Sequence, residues 1–269
     1  MKNLFFLLLI YLSSSIVELL GHSVPDPFIQ EDIPYERFIS LGNCCVSRSQ
    51  INSHLTQRFA RDSKSFGGGQ LFDWVIIHDY DKLAETIENN LVDFFERSDL
   101  VLYIGWEGPS CPYVKNVKNN ITWRHLFTRR GDGSIAENFL DLEYEIKKKK
   151  VDYLAEKFRL LKNYRTLYVI AYPFIGAGIL ETIEPSKKSL IRLYRALSKL
   201  RGNSNFKILF CQLEPKFKEL EKIRVRKIVS SHPFFLGDHE SWHRVLSEFP
   251  YTLDKLEFDN SELDNTWGW

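Results

Sequence analysis

Arg37-Phe38-Ile39-Ser40-Leu41-Gly42-Asn43-Cys44-Cys45-Val46 reads as a short buried strand that breaks at a turn and enters a helix. Phe38, Ile39 and Leu41 supply the strand, and Gly42-Asn43 the turn. Val46, Ile51, Leu55 and Phe59 then recur at helical rather than strand spacing. A strand–turn–helix of this kind puts a cysteine at the mouth of a helix. The first backbone N–H groups of a helix have no internal partner, and the dipole there is positive. A thiolate is stabilised in that place, which makes Cys45 a candidate nucleophile. Packing is the competing reading, since cysteine is among the most buried residue types.

Working outward, strands alternate with helices. Residues 166–172 are β-branched and aromatic, and residues 206–212 and 224–231 are two more candidate strands. Ser186 can cap a helix bearing Leu190, Leu193 and Leu197, closed by Gly202. Asp238 can cap a last helix bearing Trp242, Val245, Leu246 and Phe249, stopped by Pro250. Nearer the start, Leu83, Ile87, Leu91, Phe94 and Phe95 predict a helix over residues 81–97. A strand follows at 100–104, and a loop at 108–120 carries Pro109, Cys111 and Pro112. Leu142, Ile146, Leu154, Phe158 and Leu161 mark a further helix. The expected fold class is α/β, with three layers and a mostly parallel sheet bearing helices on both faces. It fills a single domain over residues 36–258, after an extended lead-in at 22–35 and before an unpatterned tail at 259–269.

The chain has 269 residues, 44% of them hydrophobic and 14% aromatic, enough for a large core. With 36 basic and 35 acidic side chains the net charge is +1, which gives no electrostatic case for nucleic acid or an anionic membrane. The lysine run at 147–150 is flanked by Glu143, Glu145 and Asp152 and reads as a solvated helix face. Residues 4–12 form an apolar run after a weakly basic start, so residues 1–21 read as a signal peptide. The alternative is an uncleaved N-terminal signal anchor. Either places the chain in the secretory lumen or outside the cell, and cleavage would leave no stable membrane span. Asn120-Ile121-Thr122 is a glycosylation acceptor in keeping with export. Export also permits disulfides. Cys111 with Cys211 is the plausible pair, because a bridge between the adjacent Cys44 and Cys45 would be strained.

A thiol nucleophile needs a base, and histidine suits neutral pH. Two regions offer one: His125, and the segment from Ser231 to His243 with His232, His239 and His243. Cys45 and His232 both follow candidate strands, and sites in parallel sheets form at the carboxyl edge. His239 and His243 stand at i and i+4 on one helical face, but a zinc site wants a third ligand and a supporting shell. No metal and no cofactor are expected. Asp73, between Phe72 and Trp74, cannot be buried cheaply as an unpaired charge. It must face solvent or accept hydrogen bonds from backbone N–H groups or a histidine.

Ser40-Leu41-Gly42, Cys45, the apolar Ile51 six places later, Phe72-Asp73-Trp74 and then His125 together resemble an uncharacterised domain family labelled as papain-like cysteine peptidases. The likeness is good from Arg37 to Trp74, fair to His125 and weak beyond. Cys44 stands where that family often has asparagine, with Asn43 displaced by one. The resemblance implies a Cys–His hydrolase acting on a peptide, amide or ester, with Cys45 as nucleophile and His125 as base. It leaves Asp73, Asp132, Asp141 and Asp238 as candidates to orient the base. It also implies a papain-like α+β fold as the alternative, in which the cysteine helix packs on a mainly antiparallel sheet. Two other readings compete: a glycan-modifying enzyme on a Rossmann-like scaffold, and a binding domain using exposed Trp106, Trp123 and Trp242.

Overall fold

The computed structural model describes residues 33–42, 46–60, 69–73, 75–104, 112–123, 126–127, 138–172, 183–229 and 238–253. The expected signal peptide and the C-terminal tail lie outside them, as do Cys44, Cys45, Trp74, Trp106, Cys111, His125, Asp132 and His232. Pro34–Trp269 make up one unit of the chain, separate from Met1–Ile33.

The class is α/β. Strands β1 (Arg37–Ser40), β6 (Thr166–Tyr172), β7 (Phe206–Gln212) and β8 (Ile223–Lys227) form a wholly parallel sheet in that spatial order. Its register sets Ser40 beside Val169 and Tyr172 beside Gln212. The chain later returns to the free edge of β1, where Tyr35 bridges Tyr251 in parallel.

Alternate residues of this sheet enter two separate hydrophobic clusters. Phe38, Leu167, Val169, Ala171, Leu209 and Cys211 join Ile51 and Leu55 of α1 (Val46–Phe59) and Trp242, Val245 and Leu246 of the last helix (His239–Ser247). Ile39, Tyr168, Ile170, Ile208 and Phe210 belong to the other cluster. They are joined there by α2 (Tyr80–Glu88), α3 (Phe139–Leu160) and α4 (Lys187–Arg201), which contribute Leu83, Phe158 and Leu193 among others. The last helix is α5. Burial on both faces is why these strands read as continuous apolar runs.

The parallel sheet is as expected, and the chain forms a second sheet besides. Strands β2 (Val75–Ile77), β3 (Leu100–Ile104), β4 (Pro112–Asn116) and β5 (Ile121–Trp123) form an antiparallel sheet in the order β2-β5-β4-β3. Part of it lies in the expected loop at 108–120. Pro112 is tolerated as the first residue of β4. The turn to β5 is built from asparagines: Asn116 Oδ1 accepts from Asn119 N at 2.8 Å, and Asn120 takes φ 54°.

The helix expected over 81–97 ends at Glu88. Asn90 is left-handed at φ 58°, its N–H bonds Ile87 O, and the Leu91 N–H bonds Thr86 O. That is a Schellman closure with asparagine at the position glycine usually holds. Leu91, Phe94 and Phe95 still reach the core, from turns rather than from a helix.

Helix α3 is also turned differently from its sequence pattern. Leu142 and Ile146 are exposed, while Lys147 and Lys150 are buried. Lys147 pairs with Glu143 at 3.2 Å. Only part of the lysine run is therefore a solvated face. Trp123 and Trp242 are core residues, which removes them as exposed binding aromatics.

Candidate active site

Gly42 ends β1 with φ +78°, a backbone state that glycine adopts without strain. A Cβ there would also stand 2.9 Å from Ile77 Cδ1. The turn is tied on three sides. Its N–H donates to Ser40 Oγ at 3.2 Å, its carbonyl accepts from Ser47 Oγ at 2.5 Å, and Tyr80 Oη donates to the neighbouring Leu41 carbonyl at 3.1 Å. Helix α1 then starts at Val46, the residue after Cys45 in the chain. It packs on the parallel sheet through Val46, Ile51 and Leu55, not on the antiparallel sheet that the papain-like alternative required.

Asp73 is buried beside this turn rather than solvated. Its Oδ2 accepts from Gln70 N at 2.7 Å and lies 3.4 Å from Arg48 Nε, itself buried in the first turn of α1. Burial pushes the Asp73 carboxyl up, against the pull of Arg48, the Gln70 N–H and Lys157. The turn at residues 71–73 is thereby fastened to α1. No histidine is hydrogen-bonded to Asp73 among the described residues.

Gln70 and Leu71 wall a small cavity of about 30 Å³, room for a water or two, with Val75, Trp123, Leu126 and Lys150 on its other sides. Trp123 and Leu126 stand on either side of His125 in the sequence, and His125 itself lies outside the described residues.

The remaining candidates separate. Both carboxylate oxygens of Asp238 cap α5, accepting from Glu240 N and Ser241 N at 3.2 Å each. Asp141 pairs with Arg97 at 2.7 Å on the surface. Cys211 is a free thiol fully buried in the centre of the parallel sheet, and its expected partner Cys111 lies outside the described residues. The Cys211 side chain lies in the cluster beneath α5, and burial pushes its thiol pKa up. Asn120 is partly exposed at the β4–β5 turn. Thr122 of the same triplet is buried and bonded to His78 Nε2 at 2.8 Å.

Sequence reasoning passed over His54, Gln50 and Arg48, which share the buried side of α1. Two of them meet α5: His54 Nδ1 lies 3.1 Å from His243 Nδ1, and Gln50 Oε1 lies 2.9 Å from His239 Nδ1. Burial, then His243 and Arg58, hold the His54 pKa down at about 4. The signal was present as matched i, i+4 pairs, Gln50/His54 and His239/His243, and as the His-Glu-x-x-His spacing of residues 239–243.

No helix among the described residues is long and apolar enough to cross a membrane. Set against protein-family models, curated proteins and solved structures, the chain matches none of them.

Proposed function

We propose that the chain is a secreted or luminal cysteine-dependent hydrolase of amide or ester bonds, with Cys45 as nucleophile and His125 as general base. The observation that carries this is the left-handed turn at Gly42. It ends a strand at the carboxyl edge of a parallel sheet, and a helix begins just past Cys45. Arg48 and Asp73 support it as positioning residues, joining the cysteine helix to the turn that shares a cavity wall with residues flanking His125.

In this reading the Cys45 thiolate attacks the carbonyl carbon and forms a thioester. His125, having taken the thiol proton, gives it to the departing amine or alcohol. A water then cleaves the thioester, releasing the acid and restoring the thiol. N–H groups of the first turn of α1 would receive the oxyanion. Asn120 would carry a glycan acquired before Thr122 is buried.

The test is iodoacetamide labelling of the mature chain against pH, mapped by mass spectrometry. Fast labelling of Cys45 below pH 7, slowed about 100-fold in His125→Ala, is the expected result. Labelling with an ordinary thiol pKa near 8.5 in both proteins would refute the pair. The parallel sheet also suits the glycan-modifying reading, which instead requires sugar-nucleotide binding that survives alkylation.

A further inference from the structure

His239-Glu240-Ser241-Trp242-His243 has the spacing that zinc hydrolases carry on a helix, two imidazoles one turn apart on one face. Trp242 and Ser241 are buried and anchor α5, and the Ser241 hydroxyl accepts from Val229 N at 2.8 Å. The histidine face is turned to α1, where it meets Gln50 and His54.

The His54–His243 contact has the dimensions of a metal site. Two nitrogens bound tetrahedrally to one zinc at about 2.0–2.1 Å stand about 3.3 Å apart. The two Nδ1 atoms are 3.1 Å apart, with the rings tilted at 50°. Phe38 of β1 stacks on His54 from the sheet side, and Arg58, one turn on, is its charged neighbour on α1. No carboxylate forms an ion pair with either ring among the described residues. The His54 Nε2 is buried without a hydrogen-bond partner among the described residues, while its Nδ1 meets His243 Nδ1.

We propose that the α1–α5 interface binds a divalent first-row transition ion through His54 and His243, with His239 as the third ligand. Among the described residues no three such side chains yet converge. The third bond therefore needs the exposed His239 ring to turn from Gln50 toward His243, leaving Gln50 to hold a ligand ring from outside. Imidazole donors suit zinc, copper and nickel rather than magnesium or calcium. The site is independent of the cysteine chemistry, since none of its ligands is Cys45 or His125.

The experiment uses the full mature chain with no histidine tag. Co2+ is titrated as an absorbing probe and Zn2+ by calorimetry, with His54→Asn, His243→Asn and His239→Asn alongside. One equivalent should bind, Co2+ should develop the intense visible bands of tetrahedral coordination, and Zn2+ should displace it. Each variant should lose affinity by about 100-fold, at least what an outer-shell partner costs. Should His54→Asn not fold, the exposed His239→Asn and the half-buried His243→Asn decide the matter alone. Failure of the wild type to bind one equivalent, or undiminished binding in His243→Asn and His239→Asn, would overturn the site.

Discussion

Arg48 and Asp73 show how much a single pair can hold. Both are buried, and they join the first turn of α1 to the turn at residues 71–73. An ion removed from such a pair leaves its partner charged and desolvated, at a cost of about 3–5 kcal/mol. Arg48→Met should therefore lower stability by that amount in urea denaturation. Arg48→Met/Asp73→Leu should recover most of it, because no charge is then left unpaired. A double variant no better than the single would show that the pair is not what fastens the turn. The aspartate's need for a partner was evident from its aromatic neighbours, but the partner was not. Nothing in the spacing of Arg48 and Asp73 marks them as neighbours until the helix is laid on the sheet.

The elements ended where their own chemistry ended them. Ser186 accepts from Ser189 N at 3.0 Å, Gly202 is left-handed at φ 67°, and Asp238 caps α5, as local signals predict. The exception is α2, where apolar residues continue at helical spacing past Glu88 while the backbone reverses at Asn90. A β-branched residue is poorly suited to that left-handed position. Asn90→Val should cost about 1–2 kcal/mol, read as a lowered urea midpoint, with Asn90→Gly neutral or stabilising. An unchanged midpoint in Asn90→Val would mean that the closure does not stabilise the helix end. Helix α1 presents the reverse difficulty. Its buried side includes Ser47, Arg48, Gln50 and His54, so apolar periodicity located the helix while understating the face it buries.

Taken whole, the molecule places its parallel strands between two apolar clusters, and the Cys211 thiol lies inside one of them. Its reactivity should therefore report global opening. Cys211 should resist iodoacetamide in the native chain and label fully in about 6 M guanidinium, at a rate that follows unfolding in between. Labelling of Cys211 under native conditions would mean that the cluster opens locally. Apolar, β-branched and aromatic runs at 166–172 and 206–212, capped helices between and after them, and the glycine turn before Cys45 were enough to determine an α/β chain with a parallel sheet. These are local signals, carried by residues that choose their backbone state from near neighbours. The separate antiparallel sheet, the burial of Lys147 and Lys150, the free Cys211 thiol and the meeting of His54 with His243 were decided only by tertiary packing. Each depends on which distant surfaces face each other, and for a polar side chain that choice of partner leaves no periodic trace along the chain.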